Sequence, residues 1–453
     1  MEKNILKNLA GWLEAHKTEM LEDIASLVAI PTVVDEGEGG YPYGTALADA
    51  VRHMGALAEK YGFDWQNHGW HCISISYGPK GNGQLGIWGH LDVVPPGDGW
   101  IYPPFECRQV ENFLLGRGTQ DNKGPDIGSL YVLRYLKEHG IVPDFEIRLI
   151  YGCEEETGMK DVVEYLKLEP APDYSFVPDC GFPVCYGEKG FLKIKLRSKL
   201  LSGAVTFMNG GQAANAIPAH GTAVICGKII EADGVPGHSA YPDGLVNAFG
   251  ALGRLCMDVD GLTDGDRQAF RFLADAGSDG YGRALGLERM DEPSGFMTCA
   301  PTLLDFNDGA MEVVMNIRYP ITLESETIVD DLKKKAGEYG LDVCDVDDSK
   351  PNHEDPDGVW AQYLTDCFEE VMGERQEPFV MSGGTYARKV PNAVGFGPGL
   401  PKDITVLDLP DGHGECHQPD ESQCIDTLFA AWKVYAYTVL KLIETGLPPK
   451  MAG

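Results

Sequence analysis

Positive charge is scarce in this chain, with 37 Lys and Arg against 69 Asp and Glu and a formal net charge of -32. Such a balance repels nucleic acid and anionic membrane surfaces, which argues against either as a partner. Lys333-Lys334-Lys335 is the one basic cluster, and it reads as a solvated helix face. The 12 cysteines, scattered from Cys72 to Cys424, include no CxxC pair and no dense framework, so reduced thiols in a cytosol are expected. No run approaches the ~18 apolar residues of a membrane span. The first residues, MEKNILKNLAGWLEAHK, interleave charges with apolar positions where a secretion signal needs an unbroken apolar core. A soluble, cytoplasmic protein is the expectation. Internal repeats and low-complexity segments are also missing.

What is present suits a large globular protein. Hydrophobic residues make up 43% of 453 residues, a length that favours two domains. The chain is organised around QLGIWGHLDVVPP, Gln84 to Pro96, where an apolar strand delivers His90 and Asp92 at its far end. Ligands gather at the carboxyl ends of strands in open α/β sheets, so this His-x-Asp is a site candidate. Asp121 follows in the glycine-flanked loop LLGRGTQDNKGP, before a helix over about 125–139; alone it would read as a helix cap. A strand over 145–151 runs into Glu154-Glu155-Glu156, and one over 173–177 ends at Asp179. Four strand-to-loop junctions thus present ligating side chains.

Helices are expected over 4–29, 45–61, 331–339 and 421–445, and strands over 71–77 and 84–89. From Gly190 the pattern changes. FLKIKLRS, GTAVICGKII and AMEVVMNIRYP alternate as half-exposed strands, and VDDSKPNHEDPDG reads as a turn-rich end. The expected fold is α/β with two domains: a catalytic domain of 1–189 and 353–453, with a mixed, mostly parallel sheet flanked by helices, and an inserted α+β lid of 190–352 with an antiparallel sheet. The last section offers His413 and His417 in DGHGECHQPDES.

If His90, Asp121, Glu156, Asp179 and His417 converge on two divalent cations with Asp121 between them, three carboxylates and one hydroxide balance four positive charges. Mixed nitrogen and oxygen donors suit zinc, with manganese or cobalt also fitting. Such a pair, roughly 3.5–4 Å apart, makes hydroxide from water at neutral pH. Glu155 is then placed to take the water's proton, and Asp92 to orient His90.

The strings GHLDVVPPGDGW, GRGTQDNKGP, EEETG, PDCGF, GHSAYPDGLVNA, NIRYP and ECHQPDE resemble those of the co-catalytic di-zinc metallopeptidases. That family includes aminoacylases, glutamate carboxypeptidases and succinyl-diaminopimelate desuccinylases, and the likeness is greatest to bacterial cytosolic dipeptidases of the peptidase V type. The resemblance implies His90, Asp121 and Asp179 on one metal, and Asp121, Glu156 and His417 on the other. It implies Glu155 as general base, leaving Glu154 outside the pair, and prefers His417 to His413 because Glu421 follows four residues later. His238 and Asn215 match oxyanion-stabilising residues, and Arg318 matches the arginine that holds the substrate carboxylate. Gly384 and Thr385 fall in the family's glycine-rich substrate loop. Asn122 stands where many relatives have a second aspartate. Cys180 and Cys416 flank the implied ligands Asp179 and His417, where a thiol bears on metal preference.

The resemblance implies a metal-dependent dipeptidase acting on short peptides, as monomer or homodimer. An N-acyl amino acid deacylase or desuccinylase of the same fold is the alternative. A non-catalytic binding protein would have lost Glu155 or ligands, and none is lost; a two-metal phosphatase would need more than Arg318 to hold phosphate.

Overall fold

The computed structural model describes residues 2–35 and 37–449. Chain contacts divide it into two compact units: one runs to Tyr186 and resumes with Glu354–Phe379 and from Thr385, and the other comprises Gly187–His353 and Val380–Gly384. The second unit starts and ends just outside the expected 190–352, and it takes in Val380–Gly384, which had been expected in the catalytic domain.

In the first unit, α1 (Glu2–Val28) is one uninterrupted helix, and α2 (Thr45–Lys60) buries Leu47, Val51, Met54, Leu57 and Ala58 at helical spacing. Strands β1 (Asp64–His68), β2 (Cys72–Tyr77), β3 (Gln84–His90), β4 (Glu146–Gly152) and β5 (Tyr174–Val177) lie in the order β1-β2-β4-β3-β5. β1, β2 and β4 pair antiparallel, while β4, β3 and β5 run parallel. Parallel neighbours need a crossover, and α3 (Lys123–Glu138) supplies it between β3 and β4. β4 is buried at all seven positions, as a strand covered on both faces must be. Register sets His90 level with Gly152, so the residues after both strands emerge at one end of the sheet. Helix α4 (Lys160–Leu168) follows β4.

The second unit holds β6 (Gly190–Ser198), β7 (Val205–Gly210), β8 (His220–Ile225), β9 (Lys228–Asp233), β10 (Thr298–Asn307), β11 (Ala310–Tyr319) and β12 (Leu341–Ser349). These form an antiparallel sheet in the order β9-β8-β7-β10-β11-β6-β12. Leu192, Ile194 and Leu196, alternate residues of β6, enter a core with Phe249 and Leu252 of α5 (Ala248–Met257), Phe270 and Leu273 of α6 (Asp264–Ala276), and Ile328 and Leu332 of α7 (Ser325–Glu338). Lys333 and Lys334 stand on the exposed face of α7. β12 runs into the start of the stretch expected to be turn-rich, taking in residues 346–349. As an edge strand it can carry acids, and its Asp347 and Asp345 stand opposite Lys193 and Lys195 of β6.

The chain returns through α8 (Val359–Met372), β13 (Ala393–Gly395), which pairs parallel with β5, and α9 (Ile425–Thr445). The last helix starts four residues later than expected because Ser422–Cys424 pairs with Phe113–Leu115 as a short strand. Among the described residues, no helix is long and apolar enough to cross a membrane.

Candidate metal centre

Six side chains from the first unit meet beyond the carboxyl ends of β3, β4 and β5. His90 is 1% exposed; its Nδ1 lies 3.0 Å from the Asp92 carbonyl oxygen, which turns Nε2 toward Asp121 Oδ1 at 2.9 Å and Asp179 Oδ2 at 3.7 Å. His417 approaches from the loop before α9, with Nε2 at 3.1 Å from Asp121 Oδ2 and 3.2 Å from both Glu156 oxygens. Asp121 therefore offers one oxygen to each imidazole. The donor atoms of His90, Glu155 and Asp179 lie within 4.8 Å of one another, as do those of His90, Asp121 and Glu156. The Cys416 thiol donates to Asp121 Oδ2 at 2.8 Å.

Neighbouring acids hold this set in place. Asp92 is fully buried, and its carboxylate accepts the backbone N–H of Glu155 and of Glu156, each at 3.0 Å. Its nearer contact with His90 runs through the carbonyl, with Oδ1 at 3.5 Å from Nδ1. Glu154 turns away, accepting from Thr157 Oγ1 at 3.0 Å and from the Lys160 N–H at 2.7 Å at the start of α4. Asp161 accepts the backbone N–H groups of Cys153 and Glu154 and the Tyr386 hydroxyl. That hydroxyl comes so close to the end of β4 that a Cβ on Gly152 would collide with it, which calls for glycine there. Burial, with the Asp92 charge nearby, pushes Asp161 up to about 7.

Glu421 does the most for the Asp121 loop. One oxygen accepts the backbone N–H groups of Gly118, Gln120 and Asp121 at 2.9 to 3.1 Å, while the other takes Arg117 Nη1 at 2.6 Å in a fully buried ion pair. Arg117 also donates to the His417 carbonyl at 3.3 Å. His413 is not in the centre; its Nδ1 is 2.6 Å from Asp420, which also accepts from the Ile101 and Tyr102 N–H groups. The sequence marked Glu421 only as the acid following His417, and Arg117, Asp161 and Tyr386 carried no signal of their own.

The electrostatics call for cations. Burial pushes the pKa values of Glu155, Glu156 and Asp179 up, and neighbouring acids add to it. Burial also works against a charged His90, yet the bonds to Asp121 and Asp92 outweigh it and raise its pKa; His417 is raised against its burial by its bonds to Asp121, Cys416 and Glu156. Asp121, between the two rings, is held well below the usual carboxylate range despite its burial. Buried Oε1 of Glu155 has no hydrogen-bond partner among the described residues. Oxygen and imidazole donors crowded at these distances fit divalent metal ions.

In the second unit, Ala216–Ile217 and Gly237–His238 pair as a two-stranded ribbon. Ser239 donates through N–H and Oγ to the Asn215 carbonyl, bringing Asn215 and His238 onto neighbouring rungs. His238 is exposed, and its Nδ1 accepts the Ala240 N–H at 3.1 Å, so in the neutral ring Nε2 carries the proton. Arg318 lies over the Phe191 ring at 4.5 Å and donates Nη1 to the Ser382 carbonyl at 3.0 Å, two residues before Gly384. Thr385, in the first unit, is buried and accepts the Ala387 N–H at 3.1 Å.

The model of Peptidase family M20/M25/M40 matches residues 86–441. The Beta-Ala-Xaa dipeptidase of Lactobacillus delbrueckii subsp. lactis is 28% identical over 475 residues, covering 96% of this chain and 98% of its own. The di-peptidase Dug1p from Saccharomyces cerevisiae shares the fold with a TM-score of 0.64 at 15% identity, over 98% of this chain and 99% of its own. The YXEP protein of Bacillus subtilis, titled a dinuclear metal binding peptidase, aligns with a TM-score of 0.53 at 12% identity, over 95% and 99%.

Proposed function

The chain belongs to peptidase family M20/M25/M40, and from that membership we propose that it is a metal-dependent dipeptidase using two divalent cations, preferentially zinc. His90, Asp121 and Asp179 hold one cation and Asp121, Glu156 and His417 the other. The observation that carries the assignment is Asp121 standing between two imidazoles with one oxygen directed at each. When bound, the cations polarise the scissile carbonyl and lower the pKa of the attacking water.

This chain's residues do the rest. Glu155, whose Oε1 has no hydrogen-bond partner among the described residues, takes the proton of the attacking water and returns it to the leaving nitrogen. Asp92 fixes the turn that presents Glu155 and Glu156, and its carbonyl fixes the ring of His90. The Nε2 proton of His238, with Asn215, stabilises the developing oxyanion. Arg318 holds the substrate's terminal carboxylate with its planar donors, and Gly384 and Thr385 line the backbone of the bound peptide. A dipeptide is the substrate class that a free carboxylate and the dipeptidase relatives favour. The low positive charge argues against nucleic-acid partners, and scattered cysteines without a CxxC pair support a cytoplasmic setting.

The test is hydrolysis by metal-stripped protein, before and after adding zinc, manganese or cobalt, of free dipeptides beside N-acetylated and N-succinylated amino acids. Metal-restored cleavage of free dipeptides is the expected result. Preference for the acylated compounds would move the assignment to a deacylase, and metal binding without turnover would leave only a binding protein.

A further inference from the structure

Consecutive side chains of an extended chain point apart, yet Cys416 and His417 do not. His417 adopts a left-handed φ of 64°, and Cys416 Sγ and His417 Nε2 come onto the same oxygen of Asp121 at 2.8 and 3.1 Å. The three donor atoms lie within 4.8 Å of one another. Bond lengths of about 2.0 to 2.3 Å to a tetrahedral zinc would set neighbouring donors roughly 3.3 to 3.6 Å apart, so the trio would have to open by less than about an ångström to enclose one. The other thiol beside a ligand behaves differently: Cys180 Sγ donates to the Gly181 carbonyl at 3.2 Å.

We propose that Cys416 is a thiolate ligand of the cation held by Asp121, Glu156 and His417, and that it biases this position toward zinc over manganese. The inference rests on the two-cation reading above. On binding, the S–H bond breaks, a sulfur–metal bond forms and the proton leaves to solvent; nothing is oxidised or reduced. A soft sulfur donor favours zinc, cobalt and cadmium over manganese and magnesium, which prefer oxygen.

Cobalt(II) reports the ligand directly, through a near-ultraviolet sulfur-to-metal charge-transfer band separate from the visible d–d bands. Full-length metal-stripped protein loaded with two equivalents of cobalt is expected to show both. Cys416→Ser is expected to keep the visible bands and lose the charge-transfer band, while Cys180→Ser keeps both. In competition dialysis, Cys416→Ser should shift the zinc-to-manganese preference toward manganese about tenfold or more. Two bound cobalt ions without the charge-transfer band in the unmutated protein would overturn the thiolate ligand and leave the two-cation reading standing. A band retained in Cys416→Ser would do the same. No bound cobalt at all would overturn both. Should the variants misfold, alkylation of Cys416 in the unmutated protein decides the matter: zinc must suppress it and magnesium must not.

Discussion

Glu155 is the residue on which the proposed chemistry turns. Glu155→Gln keeps the size of the side chain and removes its basicity, so kcat should fall about a thousandfold while two metals per chain remain bound, as kinetics and metal analysis would show. Glu421 tests support rather than chemistry. Glu421→Gln leaves Arg117 charged and buried without its partner, which costs roughly 3–5 kcal/mol, and the loosened Asp121 loop should lose about 10- to 100-fold in metal affinity. Urea unfolding and metal titration read the two effects separately. A pH effect belongs to Glu312 in the second unit: bonds from Lys195, then Asn307 and Arg197, hold its carboxyl down to about 2. Its folded pKa is depressed, so its stabilisation is present above the ordinary carboxylate range, near 4.5, and is lost as pH falls toward 2. With Lys195 and Arg197 partly in solvent, about 1–2 kcal/mol is the expected size, and Glu312→Gln should destabilise more at pH 7 than at pH 3. At this scale the sequence exposed residues whose chemistry is unusual at a strand end, such as His90, Asp121 and Asp179. It hid those that act through buried hydrogen bonds and ion pairs: nothing about Glu421 or Asp161 as letters distinguishes an acid that accepts buried N–H groups from one in water.

At the scale of elements, the hairpin of β10 and β11 turns through Asp308 and Gly309 with φ of 49° and 76°, the two-residue geometry that matches strand twist. Gly309→Val places a β-branched residue at positive φ and should lower unfolding stability by about 1–3 kcal/mol in a denaturant titration. Elements with strong periodicity, such as α2 and α3, were readable from apolar spacing. Helices α5 and α6 were not anticipated, although α6 opens on a Thr263–Asp266 capping box whose reciprocal bonds only the structure displays. β12 was obscured by its acids, because the lysines that tolerate them lie about 150 residues earlier on β6. Pairing of that kind is a property of the sheet, and local pattern does not contain it.

At the scale of the molecule, each unit has its own apolar core, one including Ile87, Leu133 and Trp432, the other Leu192, Phe270 and Met315. The crowded carboxylates belong to the first alone. Calorimetry is expected to resolve two transitions, of which only one falls on chelation and recovers with zinc. A shift of several degrees corresponds to metal at about a hundred times its Kd. An unshifted profile would count against the metal centre. The interrupted course of the first unit also has a temporal meaning. His90, Asp121, Glu156 and Asp179 are synthesised before the second unit, and His417 and Glu421 only after it, so at about 5–20 residues per second the centre stays incomplete for roughly tens of seconds. A nascent chain that stops before His417 therefore lacks part of the proposed centre, and competence can arrive only once that residue has been added.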